Sequence, residues 1–278
     1  MRFFALSDIH GHLAELNTAL ALIDARRKDG DMVVFCGDYV DKGDDSLGVL
    51  KAVHRICAVE RRGVALLGNH EEMFLDWLYT EDEWFQPSWY VEDYGFQTLR
   101  SFIPMELIGK FADESYDEDL RPGTSAVFRE HARWAVLEEH GLLLAWVRGL
   151  PRYLQTDRQV FVHAGVNESA GDLWKLATPD HMFTEKVPAS TGPFLKDVIA
   201  GHVWASGVAR DLLHRGVYWD GESHFYIDGS VYRTGLIPVL IYDTDTGRYS
   251  TLVESGGGDW VEIDMEGFAA LKHGLLPD

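Results

Sequence analysis

The sequence predicts an α/β fold with a parallel sheet in the N-terminal half and a strand-rich C-terminal part. Up to about residue 80, short apolar runs alternate with segments of helical periodicity, which is the pattern of β–α–β units. Later apolar runs are separated by turns alone, which indicates antiparallel strands. The chain has 278 residues, of which 46% are hydrophobic, and this is enough for one large domain with a substantial core.

The N-terminal half contains three predicted strands and three predicted helices. The strands are the apolar runs "RFFALSD", "MVVFCGD" and "GVALLGN". The first helix is "LAELNTALALIDARR", and its apolar positions at helical spacing are Leu13, Leu16, Leu20 and Ile23. The other two helices are "SLGVLKAVHRICAV", with Ser46 as its predicted N-cap, and "EEMFLDWLY". This alternation places the three strands side by side in one sheet.

Residues 80–130 interrupt the pattern. The stretches "TEDEWFQPSWYVEDYGF" and "ADESYDEDLRPG" are acidic, aromatic and poorly periodic. We predict an inserted cap or lid within a single domain of residues 1–278, and the alternative is a surface excursion without a role. The position of this segment directly after "GNHE" favours contact with a functional site. A helix from about Val127 to Val147 follows it.

The remainder of the chain is rich in predicted strands. The runs "QVFVHAG" and "KDVIAGH" predict a fourth and a fifth buried strand. Further strands are predicted in "GVYWDG", "HFYIDGS" and "PVLIYDTDTGRYSTLVE", where "DTDTG" marks a hairpin turn. The stretch "EGFAALKHG" predicts a short closing helix.

Charge and composition exclude several classes of function. The formal net charge is −20, from 45 acidic and 25 basic residues, and such a surface repels the phosphates of nucleic acids. The sequence has neither the pattern of a signal peptide nor a run of about 18 apolar residues. We therefore expect a cytoplasmic protein without nucleic-acid or membrane partners, in which Cys36 and Cys57 are reduced thiols.

Polar residues follow each of the five predicted buried strands. The spacing is 30 residues from the first set to the second and 31 from the second to the third, one strand–helix unit each time. These side chains therefore meet at one edge of the sheet, which is where α/β proteins bind ligands. The set consists of Asp8, His10, Asp38, Asn69, His70, His163 and His202.

The chemistry of this set indicates a metal centre. Carboxylate, imidazole and amide groups suit Mn, Fe or Zn, and one Asp carboxylate is able to bridge two cations. Two cations about 3.5–4 Å apart form the clamp used for in-line displacement at phosphorus. The glycines Gly37, Gly68 and Gly201 precede ligands and allow the backbone to approach the cations closely.

Five motifs resemble the signature of a known family. "SDIHG", "GDYVDKG", "GNHE", "HAG" and "GH" are similar to the motifs of the calcineurin-like metallophosphoesterases. The resemblance is greatest to the PPP-type serine/threonine phosphatase branch, with its bacterial and phage members and the related diadenosine tetraphosphatases. It spans residues 1–240, with the 80–130 segment least covered. The resemblance implies a sandwich of two mixed sheets flanked by helices, with an inserted cap.

The resemblance also implies roles for the site residues. Two divalent cations are expected, with Mn as the first expectation and Fe or Zn as alternatives. The first cation is bound by Asp8 and His10, and Asp38 bridges the two cations. The ligands of the second cation are Asn69, His163 and His202.

His70 is implied as the general acid, oriented by Asp41, and a metal-bridging hydroxide attacks phosphorus directly. Two cations acidify that hydroxide, so no separate base is needed, and a nearby imidazole protonates the leaving group.

The chain departs from the family pattern at the phosphate-binding positions. Lys42 stands where the family usually has Arg, so the substrate phosphate is expected to meet a point charge instead of a bidentate fork. No Arg follows "HAG" in "LATPDHMFTEKVPAS", where Lys186 is the nearest cation. Trp204 replaces the second His that many broader metallophosphoesterases carry, which favours the PPP-like branch.

The first functional hypothesis is hydrolysis of phosphomonoesters, with phosphoserine or phosphothreonine proteins as substrates. The second is hydrolysis of dinucleoside polyphosphates, of the diadenosine tetraphosphate type, or of another small phosphorylated molecule. A third, more remote, hypothesis is a non-catalytic binding module that keeps the fold, and the intact set of ligands together with His70 argues against it.

Overall fold

Two mixed β-sheets lie face to face in the computed structural model, which describes residues 1–80, 96–116 and 125–266. The strands of the first sheet are β1 (Arg2–Leu6), β2 (Met32–Phe35), β3 (Gly63–Ala65), β9 (Leu240–Asp243), β10 (Arg248–Glu254) and β11 (Trp260–Asp264). The strands of the second sheet are β4 (Tyr153–Gln155), β5 (Gln159–Val162), β6 (Asp197–Trp204), β7 (Tyr218–Trp219) and β8 (His224–Asp228). The predicted α/β class and two-sheet arrangement are confirmed.

Each sheet combines parallel and antiparallel strand pairs. The first sheet has the order β11-β10-β9-β1-β2-β3, in which β1, β2 and β3 are parallel. The second has the order β4-β5-β6-β8-β7, in which β5, β6 and β8 are parallel. The predicted ligands therefore lie near the carboxyl ends of β1, β2, β3, β5 and β6.

Helices cover the outer faces of both sheets. Against the first sheet lie α1 (Leu13–Asp24), α2 (Ser46–His54), α3 (Asn69–Tyr79), α4 (Phe96–Phe102), α5 (Met105–Glu114) and α6 (Ala126–Arg148). The shorter helices are α7 (Trp174–Ala177), α8 (Asp180–Glu185), α9 (Ala205–Val208) and α10 (Val231–Thr234). A π-helical turn at Arg55–Val59 extends α2, and a 3₁₀ segment covers Glu168–Leu173.

Burial on both faces explains the continuous apolar run of β1. Phe4 and Leu6 pack against the helices of the outer layer, whereas Phe3 and Ala5 pack between the two sheets. Alternate side chains point to opposite faces of a strand, so a strand buried on both sides needs apolar residues at every position.

Several local predictions are settled by the structure. Ser46 is not the N-cap of α2: the side chain of Asp45 caps the helix by accepting a hydrogen bond from the Gly48 N–H at 2.8 Å. The predicted hairpin is confirmed, since β9 and β10 pair antiparallel around the "DTDTG" turn. Strand β11 was not predicted. The cysteines Cys36 and Cys57 are both free.

Two predicted features fall partly outside the described residues. The closing helix "EGFAALKHG" lies beyond the described residues except at its start. Residues 81–95 and 117–124 of the predicted cap are also outside them. The described remainder of that segment forms α4 and α5, which pack against α2 and α6. The assignment of residues 80–130 as an inserted cap stays a prediction.

A buried charged cluster lies in the second sheet around His224. Its Nδ1 is 3.0 Å from the Gly192 carbonyl oxygen and 3.2 Å from Asp220 Oδ2, and its Nε2 is 3.5 Å from Glu168 Oε1. Burial lowers the pKa of His224, but the hydrogen bonds with Asp220 and Glu168 outweigh burial and raise the pKa to about 9. The folded chain thus binds this proton more tightly than the unfolded chain.

This cluster predicts a pH-dependent stability. The His224 contribution is fully present below the unfolded pKa of about 6.5 and is lost as the pH rises through the folded pKa of about 9. Between those values the wild type is expected to lose roughly 1–3 kcal/mol of unfolding free energy relative to His224→Gln. Urea unfolding at several pH values measures the difference. The exposed His181→Gln variant should keep the wild-type slope, and equal slopes for wild type and His224→Gln would contradict the assignment.

Candidate metal centre

The predicted site residues meet where the loops after β1, β2 and β3 approach the loop after β5 and the carboxyl-terminal part of β6. Backbone hydrogen bonds join the loops in pairs. The Asp8 N–H donates to the Gly37 carbonyl at 3.1 Å, and the Gly201 N–H donates to the His163 carbonyl at 2.8 Å. Because each pair of strands is parallel and in register, the residues that follow the strands arrive at the same edge.

Left-handed backbone marks most of these positions. Non-glycine residues with positive φ are uncommon and persist where the surrounding structure holds them, often at functional sites. The cluster at this edge comprises Asp8 (54°), His10 (48°), Asp38 (59°), Asp41 (70°), Lys42 (65°) and His202 (62°). A side chain that follows a strand in this conformation turns back toward the end of the sheet, so the strain is concentrated at the predicted site.

Two glycines allow the backbone to touch the carboxylates. A Cβ atom at Gly201 would lie 2.1 Å from Asp8 Oδ2, and one at Gly68 would lie 2.3 Å from Asp38 Oδ1. Neither distance is possible for a real side chain. The glycine of "AGH" and that of "GNHE" are therefore required for the close approach that the sequence predicted.

Two groups of potential cation ligands share one residue. The first group is His10, Asp38 and His70, and the second is Asp38, His163 and His202. Within each group the ligand atoms lie within 4.8 Å of one another. Asp38 Oδ2 is 3.6 Å from His10 Nε2, whereas Asp38 Oδ1 is 3.3 Å from His163 Nε2. The two oxygens of Asp38 thus face different groups, which is the arrangement that a bridging carboxylate requires.

Asn69 and Asp8 complete the two groups. The amide oxygen of Asn69 is 3.0 Å from His163 Nε2 and 3.1 Å from His202 Nδ1. Asp8 Oδ1 is 3.9 Å from His10 Nε2, and Asp8 Oδ2 accepts a hydrogen bond from the His202 N–H at 3.0 Å. All six predicted metal ligands are therefore brought together.

Backbone carbonyls fix the orientation of two imidazoles. The Nδ1–H of His10 donates to the Val40 carbonyl at 3.0 Å, and that of His163 donates to the Cys36 carbonyl at 2.7 Å. A carbonyl oxygen only accepts, so Nδ1 carries the proton in both rings. The Nε2 atoms of both rings face the site, as is usual for metal-binding histidines.

The electrostatics of the site suit cations. Burial lowers the pKa of His10 far below its usual value, and burial followed by His163 lowers that of His202 to about 4. Burial raises the pKa of Asp8, and the neighbouring Asp38 adds to the effect. Burial also favours protonation of Asp38, but His163, His70 and His10 outweigh it and hold its pKa well below the usual range. Neutral imidazoles beside crowded carboxylates are a donor set that fits divalent cations.

The His70–Asp41 pair lies beside the first group. His70 Nδ1 is 2.7 Å from Asp41 Oδ2, and its Nε2 is 3.8 Å from Asp38 Oδ2. Burial lowers the pKa of His70, yet Asp38 and the hydrogen bond with Asp41 reverse the effect and raise it overall. The shift favours the charged form of the imidazole, and Nε2 faces the site on the side of Asp38. The other oxygen of Asp41 accepts a hydrogen bond from Thr98 of α4.

Two cationic residues behave differently. Lys42 reaches the site, where its ammonium donates to His10 Nε2 at 2.8 Å. Lys186 is held in the second sheet's charged cluster, where it donates to the Val166 carbonyl and to Ser190 Oγ, each at 2.7 Å, and pairs with Glu168. The structure therefore gives Lys186 a structural role, and Lys42 is the cation at the metal centre.

Three residues of the site were not identified from the sequence. Glu71 is buried and accepts hydrogen bonds from the backbone N–H groups of Asp38 and Gly68. The hydroxyl of Thr98 donates a hydrogen bond to Asp41. Asp228 is buried at the end of β8. Burial raises the pKa of Asp228 far above its usual value, and Asp8 contributes to the shift. The last residue of "GNHE" was the one available signal for Glu71, whereas nothing local marked Thr98.

A family model described as calcineurin-like phosphoesterase matches residues 1–206. The chain belongs to the calcineurin-like phosphoesterase family. The match contains every predicted ligand, from Asp8 to His202, and confirms the resemblance of the five motifs. The family consists of metal-dependent phosphoric ester hydrolases that use two cations.

Sequence relatives within this family carry two kinds of name. The symmetrical bis(5'-nucleosyl)-tetraphosphatase of Wigglesworthia glossinidia brevipalpis is 35% identical over 71 residues, which cover 26% of this chain and 25% of the relative. The serine/threonine-protein phosphatase 2 of Salmonella typhimurium is 33% identical over 88 residues, 32% of this chain and 36% of the relative. The matched segments thus span a quarter to about a third of those curated relatives' length.

A solved structure supports the fold. The cold-active protein-tyrosine phosphatase of the psychrophile Shewanella sp. aligns with a TM-score of 0.54 over 94% of this chain and 80% of that chain. The sequence identity is 15%, so the likeness shows the shared fold alone. Within residues 1–80, 96–116 and 125–266, no helix has the length and apolar character needed to cross a bilayer.

The shared carboxylate predicts an ordered loss of metal. Asp38→Asn is expected to reduce bound Mn²⁺ from about two ions per chain to less than about one, because both groups lose a charged ligand. Asn69→Ala should retain the first ion and lose the second. Elemental analysis after dialysis measures the stoichiometry, with the exposed Asp44→Asn as the control that keeps both ions. Full occupancy in Asp38→Asn would refute the shared role.

Proposed function

We propose that the chain is a dinuclear metal-dependent phosphoesterase that uses Mn²⁺, with Fe or Zn as alternatives. The observation that carries this proposal is the His70–Asp41 pair beside two ligand groups that share Asp38. Asp8, His10 and Asp38 are the proposed ligands of the first cation, with Asp38 bridging. The proposed ligands of the second are Asp38, Asn69, His163 and His202.

The cations, when bound, would acidify a water molecule and offset the charge of the phosphoryl group. The side chains of the chain itself supply the remaining steps. Water supplies the oxygen that forms a new bond to phosphorus as the P–O bond to the leaving group breaks. Protonated His70 presents its Nε2–H to the oxygen of the leaving group, which takes the proton. The products are an alcohol and inorganic phosphate from a phosphomonoester, or two nucleotides from a dinucleoside polyphosphate, and His70 is left neutral until it is reprotonated.

Asp41 and Lys42 support this proton transfer. The Asp41 carboxylate keeps His70 charged and turned toward the substrate. The Lys42 ammonium places a positive charge beside His10 of the first ligand group, where it would neutralise a phosphoryl oxygen. Because a cation on His10 Nε2 would take the place of that hydrogen bond, Nζ would then be available to the substrate.

Two classes of substrate share this chemistry. The first is phosphoserine or phosphothreonine in proteins, which is supported by the name of the Salmonella relative. The second is a dinucleoside polyphosphate or another small phosphorylated molecule, which is supported by the name of the Wigglesworthia relative. A non-catalytic binding module would not need the buried His70–Asp41 pair, so this geometry argues against that alternative.

The role of His70 predicts a loss of turnover without loss of metal. In protein reconstituted with Mn²⁺, His70→Asn should lower kcat by about 10²–10⁴-fold and retain both ions, because the proton donor is removed and the ligands remain. The assay compares kcat/KM for a phosphoserine peptide and for diadenosine tetraphosphate.

The exposed His181→Asn variant is the matched control and should behave as wild type. Loss of an ion in His70→Asn would instead make His70 a ligand of the first group. Wild-type protein that hydrolyses neither substrate would favour the binding module.

The hydrogen bond from Thr98 to Asp41 predicts that the 80–130 segment supports catalysis. Thr98→Val removes the hydrogen bond that the Thr98 hydroxyl donates to the buried Asp41 carboxylate, so Asp41 should hold His70 less well. We expect kcat to fall about tenfold with metal content unchanged, since about 1.4 kcal/mol corresponds to a factor of ten. Thr18→Val on the exposed face of α1 is the control, and an unchanged kcat in Thr98→Val would separate the segment from the chemistry.

A further inference from the structure

An aromatic wall adjoins the metal centre on the side of Lys42. Trp204 is the last residue of β6, two positions after the proposed ligand His202, and Tyr232 lies in α10. Their rings are 6.3 Å apart in an edge-to-face arrangement, and their exposed fractions are 43% and 42%. Lys42 Nζ connects the wall to the centre, at 5.6 Å from the Tyr232 ring and 2.8 Å from His10 Nε2.

The wall carries positive charge in a strongly acidic chain. The guanidinium of Arg233 lies 5.4 Å from the centre of the Trp204 ring and is exposed. With Lys42, this places two cations along the wall of a chain whose formal net charge is −20. A ligand that combines an anionic chain with a flat ring matches this surface, because aromatic faces stack on bases and cations pair with phosphates.

An exposed tryptophan at this place has no evident role in the core. Trp204 ends the strand that carries His202, so its backbone is held close to the proposed cation ligands, and the guanidinium of Arg233 already lies over part of its ring. A base stacked on the remaining ring surface would have its phosphates directed toward Lys42 and the metal centre. A Trp whose role was to pack in the core would be buried.

We propose that Trp204, Tyr232 and Arg233 form a base-binding subsite, and that the substrate is a nucleoside polyphosphate whose scissile phosphate lies at the metal centre. This inference rests on the proposed function and selects the second of its two substrate classes. Trp204 and Tyr232 stack the base, Arg233 binds a phosphate or the base edge, and Lys42 binds the phosphate nearest the cations. Phosphopeptides without aromatic residues would make little use of the wall.

Substitution of Trp204 tests the subsite. In protein reconstituted with Mn²⁺, Trp204→Ala should raise KM for diadenosine tetraphosphate and the calorimetric Kd for AMP by about tenfold, the loss expected for one base–aromatic stack. Trp204→Phe should recover most of the affinity. KM for a phosphoserine peptide without aromatic residues should not change. The matched control is Trp134→Ala, on a ring that is 68% exposed on α6.

The outcomes separate this inference from the proposed function. The wall is not a base-binding subsite if Trp204→Ala leaves KM for the dinucleotide and Kd for AMP unchanged. The same conclusion follows if Trp204→Ala raises KM for the peptide as much as KM for the dinucleotide. Wild-type protein that hydrolyses the peptide and binds AMP no better than Trp204→Ala would overturn the subsite and leave the phosphoesterase intact. Wild-type protein that hydrolyses neither substrate would overturn the proposed function, and AMP binding would still report on the wall.

Discussion

The carboxylate of Glu71 joins the two loops on which the metal centre depends. It accepts hydrogen bonds from the N–H groups of Asp38, Tyr39 and Val40 at 2.9, 2.7 and 3.1 Å, and from Gly68 at 3.1 Å. Burial, followed by the charge of Asp38, raises the pKa of Glu71 to about 7, so the hydrogen bonds are what compensate its desolvation. The left-handed turn at Asp38 and the start of α3, which begins at Asn69, are thereby held together.

Several energetically unfavourable features occur together at the site. Buried carboxylates, neutral imidazoles and positive φ angles are each unfavourable in an ordinary loop. Here they occur together because close-packed sheets and the carbonyls of Cys36 and Val40 fix the surroundings. The same arrangement explains why glycine stands at positions 68 and 201, where a Cβ would strike a carboxylate.

Local patterns were enough to predict the α/β class, the buried strands of the two sheets and which polar side chains meet at one edge. Each of these residues lies near the carboxyl end of a strand, so its position depends on strand order, which periodicity reveals. Contacts that depend on packing were not predictable in the same way. Thr98 is 57 residues from Asp41 in sequence, inside a poorly periodic segment, and β11 has exposed positions that weaken its apolar pattern. Asp45 replaced Ser46 as the helix cap because the hydroxyl of Ser46 accepts from the Asp41 N–H instead.

The ligands come from both sheets, and this has a mechanical consequence. Asp38 and Asn69 follow strands of the first sheet, whereas His163 and His202 belong to the second. The interface between the sheets is otherwise apolar, built from side chains such as Phe3, Phe161 and Phe225. A cation shared by these ligands would act as a cross-link at one end of that interface, in the way that a structural metal closes a small domain. The proposed metal centre would then also hold the two sheets together.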